Sequence, residues 1–252
     1  MRVRDGVEVA GLSDVGCQRE NNEDHYSYWE PASDGEFERK GRLAIVADGM
    51  GGHEGGQEAS RIAVEAIEKV YAEGAGGDPQ LQLATGFREA HQRIHDYADQ
   101  HPPLRGMGTT ATAVVLLANR LYYAHIGDSR LYLVRGDQIS RVTRDHSYVG
   151  RLFENGVITA EEAEAHPQRN ILTAALGAGV EAAPDAPEQP ILLKQGDALV
   201  LCTDGLWGQL GDHEVQQVVT ENAPLPACQM LIDLAKDRGG PDNITVIVLR
   251  LL

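Results

Sequence analysis

Short apolar runs rich in β-branched residues recur along the chain, at Val7 to Leu12, Leu43 to Ala47, Thr110 to Leu117, Leu121 to Ile126, Leu131 to Val134, Ala198 to Cys202 and Ile244 to Leu249. Their length and flanking turn residues predict strands. Between Leu121 and Val134 only Gly127-Asp128-Ser129 intervenes, which predicts neighbouring antiparallel strands in a meander. From Gln57 to Tyr71 the period changes: Ala59, Ile62, Ala63, Ala66, Ile67, Val70 and Tyr71 recur at three- and four-residue spacing with charges between them, predicting an amphipathic helix. Phe87, Ala90, Ile94, Tyr97 and Ala98 repeat that pattern until Pro102-Pro103 stops it. Further helices are expected over Glu214 to Thr220 and Ala227 to Lys236. Between two of the strand runs lies a helical insert from Ser147 to Gly177, which contains a capping box at Thr159-Ala160-Glu161-Glu162 and ends a helix at His166-Pro167. An insert of this length in a compact domain reads as a lid or as decoration.

The 252 residues carry no Pro/Ser- or Gly/Ser-rich linker, so one domain spanning 1–252 is expected. Asp plus Glu outnumber Lys plus Arg by 38 to 22, a net charge of −16 that repels nucleic-acid phosphates and anionic lipid. The three cysteines, Cys17, Cys202 and Cys228, are too scattered for a disulfide framework or a zinc cluster. Met1 to Asp5 lacks the apolar core of a signal peptide, and no run approaches a membrane span. A cytoplasmic location with no nucleic-acid or membrane partner is expected.

The aspartates fall at the ends of the strand runs. Asp48-Gly49 follows Leu43 to Ala47, Asp204-Gly205 follows Leu199 to Thr203, Asp128 closes the run ending at Ile126, and Asp242 precedes Asn243-Ile244. Any one of them fits an ordinary turn. Asp48, however, leads into Met50-Gly51-Gly52-His53-Glu54-Gly55-Gly56, which is richer in glycine than a reversal needs and suits a backbone approached by a ligand. If several of these acids share one place, two unit charges about 4 Å apart repel by roughly 4 kcal/mol at an effective dielectric near 20, and the cluster needs cations. Oxygen donors without a Cys/His set favour Mg²⁺ or Mn²⁺, and a pair of such ions can activate water against a phosphoryl centre. Arg19, just after the first strand, is a candidate phosphate clamp or a surface arginine paired with Glu20 or Glu23.

The ordered motifs resemble the metal-dependent PP2C-type protein serine/threonine phosphatases, in particular their compact bacterial branch. They are Ser13-Asp14-Val15-Gly16 with Arg19 and Asn22-Glu23-Asp24; Ala47-Asp48-Gly49-Met50-Gly51-Gly52-His53; Gly108-Thr109-Thr110; Gly127-Asp128-Ser129-Arg130; Thr143-Arg144-Asp145-His146-Ser147; His166-Pro167-Gln168-Arg169-Asn170; Cys202-Thr203-Asp204-Gly205-Leu206; and Gly240-Pro241-Asp242-Asn243-Ile244-Thr245. The resemblance implies an α+β fold, a four-layer α/β/β/α sandwich of two antiparallel sheets flanked by helices, with a small helical flap at about 145–177. It also implies two Mn²⁺ or Mg²⁺ ions and, as in many relatives, a weaker third. Asp48 would bridge the pair, the Gly49 carbonyl would serve the second ion, and Asp204 and Asp242 would complete the first. Glu23 and Asp24 would hold metal-bound waters, Asp128 with Asp204 would form the third site, and Arg19 would receive the phosphate. Met50 stands where eukaryotic relatives place a histidine and Gly208 where some carry an aspartate; the expected proton source is water at a metal, with His53 the other candidate. His146 is expected to pack or cap rather than to reach the cleft, Met107 and Trp207 to line core or cleft, and Cys202 to be a buried strand residue.

The function implied is hydrolysis of phosphoserine and phosphothreonine monoesters in proteins by water bridging the two ions. The substrates expected are phosphoproteins, the counterpart a eukaryotic-like serine/threonine kinase, and the working unit a monomer. A cysteine phosphatase is excluded, because the sixth residue after each cysteine is Glu23, Gly208 or Leu234 rather than arginine; no Asp-x-Asp nucleophile and no phosphate loop occur either. The rival from another class is an inactive phosphoprotein-binding module, which predicts lost ligands at Asp48, Asp204 or Asp242. A metal phosphodiesterase is the remaining alternative.

Overall fold

The computed structural model describes residues 3–51, 54–159, 162–163, 165–178 and 183–252. In chain order the strands are β1 (Val7–Asp14), β2 (Asp24–Trp29), β3 (Arg42–Met50), β4 (Gly108–Thr109), β5 (Ala111–Leu117), β6 (Arg120–Ile126), β7 (Arg130–Arg135), β8 (Gln138–Arg141), β9 (Ile191–Leu192), β10 (Ala198–Cys202) and β11 (Ile244–Leu251). The helices are α1 (Asp34–Lys40), α2 (Glu54–Glu73), α3 (Pro79–Gln100), α4 (Tyr148–Glu154), α5 (Asp204–Trp207), α6 (Asp212–Glu221) and α7 (Pro224–Asp237). One sheet runs β1-β11-β10-β7-β8 and the other β2-β3-β5-β6-β9, with β4 paired to β3; every strand pairing within them is antiparallel.

The two-residue period of a strand explains why these runs are apolar throughout. On β3, Leu43, Ile45 and Ala47 face α2 and α3, while Ala44 and Val46 face the other sheet. On β10, Ala198, Val200 and Cys202 pack with the Ala227, Cys228 and Leu231 face of α7, while Leu199 and Leu201 join the layer between the sheets. Three apolar layers therefore separate helices, sheet, sheet and helices, the four-layer sandwich that the motifs imply.

The meander expected across Gly127-Asp128-Ser129 is corrected. β6 belongs to the second sheet and β7 to the first, so this corner carries the chain from one sheet to the other. Three residues look the same in sequence whether they reverse a strand or pass it to a facing sheet; only the pairing partners differ, β5 for β6 and β10 for β7. Asp48-Gly49 is likewise no turn: it continues β3, with Asp48 opposite Asp24 and Gly49 opposite Thr109. The loop glycines serve close packing of backbone on backbone. A Cβ on Gly49 would collide with the Gly56 carbonyl and come within 2.7 Å of the Glu23 carbonyl, and one on Gly51, at φ +123°, would lie 2.9 Å from the Met107 Cα.

α3 starts earlier than its apolar period, at Pro79, because the Asp78 side chain accepts from the Gln80 N–H and proline is tolerated in the first turn. In the insert, Ser147 caps α4 and the Thr159–Glu162 pair makes the reciprocal hydrogen bonds of a capping box; Ala160, Glu161 and His53 lie outside the described residues. Short or half-exposed elements without a long apolar run were not foreseen: β2, α1, β8, β9 and α5.

Candidate active site

Two sheets packed face to face bring remote carboxylates together. Asp24 opens β2 and lies in register with Asp48 near the end of β3. Asp128 sits on the corner between β6 and β7, Asp204 opens α5 directly after β10, and Asp242 precedes β11. A cleft of about 670 Å³ is lined by Arg19, Glu23, Asp48, Gly49, Asp128, Asp204 and Asp242, with Asn170 and Leu172 from the flap. Asp24 is not among its walls: it is 5% exposed, and its Oδ2 accepts from the Thr203 hydroxyl at 2.8 Å. Every predicted site residue except Asp24 thus reaches the cleft.

The backbone around these acids is held tightly. Thr110 takes Asp48 from both sides, its N–H donating to the Asp48 carbonyl at 2.9 Å and its hydroxyl accepting from the Asp48 N–H at 3.0 Å. Asn243 accepts from the Glu23 N–H and donates to the carbonyls of Val15 and Asn21, which fixes the loop carrying Arg19 and Glu23. The indole of Trp207 donates to the Asp128 carbonyl at 2.9 Å and its ring lies under the Arg130 guanidinium. Thr110, Asn243 and Asn170 were not singled out as site residues; each lies inside a motif, but Thr110 and Asn243 serve partners 62 and 220 residues away.

Burial, followed by the charge of neighbouring acids, pushes the carboxyls of Asp24, Asp48, Asp128 and Asp204 upward. The charges of Asp24, Asp204, Asp128 and Asp242 around Asp48 add to the effect of its burial. Asp204 Oδ1 and Asp24 Oδ1 are buried with no hydrogen-bond partner among the described residues. Such orphaned oxygens, all from hard carboxylates, fit divalent cations of the Mg²⁺ or Mn²⁺ kind. Among the described residues no three of these groups already close on one point as a finished ion cage. Arg19 instead donates to Asp242 Oδ2 at 2.7 Å, with half of its side chain exposed. Its sequence-level pairing with Glu20 or Glu23 is thereby replaced by a partner 223 residues away. The Asp242 carboxylate raises the guanidinium's basicity against the opposing cost of burial.

The other candidates fall outside the cleft. Met107 is a core residue at 1% exposure, and Cys202 is buried in β10. His146 is bonded to Asp185 and to the Gly127 backbone.

Comparison with known proteins decides the family. The family model described as protein phosphatase 2C matches residues 19–236. The chain is 38% identical over 255 residues to protein phosphatase PhpP of Streptococcus pneumoniae, covering 97% of this chain and 98% of that protein. The chain belongs to the PP2C-type serine/threonine phosphatase family. In structure it is similar to the Mycobacterium tuberculosis serine/threonine phosphatase PstP/Ppp, with a TM-score of 0.86, 36% identity and 97% and 98% of the two chains covered. It is also similar to the catalytic domain of PstP in complex with two manganese ions, at a TM-score of 0.84 and 34% identity, covering 98% of each chain. As a member of this family it is a metal-dependent hydrolase, and the fold agrees: two antiparallel sheets flanked by helices. No helix among the described residues is long and apolar enough to cross a membrane.

Proposed function

We propose that this chain removes phosphate from phosphoserine and phosphothreonine in proteins. The observation that carries this reading is the gathering of Asp48, Asp128, Asp204 and Asp242 with Arg19 in one cleft of a PP2C-type fold. Two Mn²⁺ or Mg²⁺ ions held by Asp48, the Gly49 carbonyl, Asp204 and Asp242, with Glu23 and Asp24 acting through water, would supply an activated water for in-line attack on phosphorus. A weaker third ion would use Asp128 with Asp204.

The chain's own groups bind and orient. Arg19, at the exposed rim, exchanges Asp242 for two phosphoryl oxygens of the substrate, a planar two-point grip. Thr110 and Asn243 keep Asp48 and Glu23 from turning away as charge accumulates. Residues 1–252 form one catalytic domain, with the flap at about 145–177 contributing Asn170 and Leu172 to the cleft wall. The enzyme acts as a monomer in the cytoplasm on phosphoproteins made by a eukaryotic-like serine/threonine kinase; the bacterial protein phosphatases it resembles support the phosphoprotein substrate.

Assay of a phosphothreonine peptide beside a phosphodiester, each with Mn²⁺, tests the reading. Turnover of the peptide is expected, and Asp242→Asn should lower it more than about 100-fold, since an ion contributes several kcal/mol at the transition state. Turnover of the diester alone would overturn the assignment.

A further inference from the structure

The corner between β6 and β7 carries Asp128, and its backbone polar groups are tied to different parts of the molecule. The Asp128 carbonyl accepts from Trp207 Nε1 at 2.9 Å, the Ser129 carbonyl lies 3.2 Å from the Thr112 hydroxyl oxygen, and the Ser129 hydroxyl bonds Thr110 at 2.7 Å. Gly127, the residue before Asp128, has both of its backbone groups on His146. The Gly127 carbonyl accepts from the His146 N–H at 2.7 Å, and the Gly127 N–H donates to His146 Nδ1 at 3.2 Å.

His146 stands where the flap begins, and its other bonds run to the rest of that region. Its carbonyl accepts from the Thr173 N–H at 2.7 Å, on the returning limb of the flap. Its Nε2 lies 3.1 Å from Asp185 Oδ2, and Asp185 exchanges both backbone hydrogen bonds with His125, at 2.8 and 2.9 Å. Because Nδ1 accepts, the ring proton resides on Nε2 and points at the Asp185 carboxylate. A carboxylate orients a histidine, and the histidine orients a backbone that aims a second carboxylate. His146 does not line the cleft, but a neighbouring cavity of about 400 Å³ shared with Arg144, Asp145 and Asp185.

We infer that His146 is a positioning residue: from outside the cleft it fixes the peptide planes on either side of Gly127, and through them the Asp128 carboxylate, to the base of the flap. The inference rests on the reading that Asp128 helps to hold a divalent ion. Removing the Nδ1 acceptor frees the Gly127 N–H and lets Asp128 turn, and outer partners of this kind change ion affinity by about 10- to 100-fold.

Two substitutions separate the halves of the ring. In His146→Asn the side-chain oxygen replaces Nδ1, keeping the Gly127 bond; in His146→Gln the amide replaces Nε2, keeping only the Asp185 bond. Titration calorimetry with Mn²⁺ should find the Asn variant close to the native protein and the Gln variant weaker by about tenfold or more. The loss should not add to that of Asp128→Asn. Equal losses in Asn and Gln, no loss in either, or full additivity with Asp128→Asn would overturn the inference. If the Gln variant does not fold, nitrogen NMR and amide exchange on the native protein decide: a proton on Nδ1 of His146, or a fast-exchanging Gly127 amide, overturns it, whereas an Nε2 proton and a protected amide uphold it. A native protein that binds no Mn²⁺ would remove the proposed function, and the NMR measurements would still judge His146.

Discussion

Arg19 and Asp242 hold each other at 2.7 Å at the rim of the cleft, where the guanidinium is half exposed. Exposed pairs of this kind are worth roughly 0–1 kcal/mol, so a phosphate dianion can displace the carboxylate at small cost. Arg19→Ala is therefore expected to raise KM for a phosphopeptide about 10-fold or more while sparing a small activated ester. Equal losses on both substrates would show that Arg19 is not the clamp. His125 is a different residue-scale device. Its ring is fully buried, with Nε2 donating to the Arg144 carbonyl and Nδ1 accepting from Thr112, and burial followed by His146 pushes its pKa down to about 4. The unfolded chain takes up this proton near the ordinary histidine value of about 6.5, so it holds more protons than the fold as pH falls from there to about 4. Stability should fall across that window by up to about 3 kcal/mol, less in His125→Gln, as read from urea unfolding at a series of pH values. The same slope in the variant would assign the acid sensitivity elsewhere.

At the scale of elements, β10 shows how packing reaches the chemistry. It lies between β11 and β7, and its last residues lead straight into Thr203 and Asp204. Leu201 is fully buried between the sheets, so Leu201→Ala should cost about 2–5 kcal/mol of unfolding free energy, measured by denaturant titration. A loss below about 1 kcal/mol would mean that the intersheet layer collapses around the gap. The long runs in β3, β5, β10 and β11 were legible because both faces of each strand are buried and most of its residues are apolar. β2 was not, since at the sheet edge it alternates polar with aromatic residues, Asp-His-Tyr-Ser-Tyr-Trp, and only its first residue is buried. The β6–β7 corner misled for another reason: a local turn signal says where a strand ends and nothing about which sheet the next one joins.

For the whole molecule, charge and fold work against each other. A chain of net charge −16 concentrates several partly desolvated aspartates in one cleft, and their mutual repulsion opposes folding. Mn²⁺ at 100 times its Kd should add about 2.7 kcal/mol and raise Tm by about 5–10 °C for a chain of this size. Asp48→Asn removes one repelling charge, so its metal-free Tm should exceed that of the native protein while the rise with Mn²⁺ disappears. A variant that melts lower without metal and still gains with Mn²⁺ would contradict Asp48 as both a source of repulsion and a ligand.

By itself the amino-acid order determined which long apolar segments are buried, and that Asp48, Asp128, Asp204 and Asp242 stand at or near their ends. These are local properties, written in periodicity and in the residues that break it. Tertiary structure decided the rest: that the corner at Gly127 joins two sheets, that Asp24 lies behind the cleft rather than in it, that Arg19 finds Asp242, and that His146 ties Gly127 to Asp185. Each depends on contacts between residues far apart in the chain, and no local propensity encodes a distant partner.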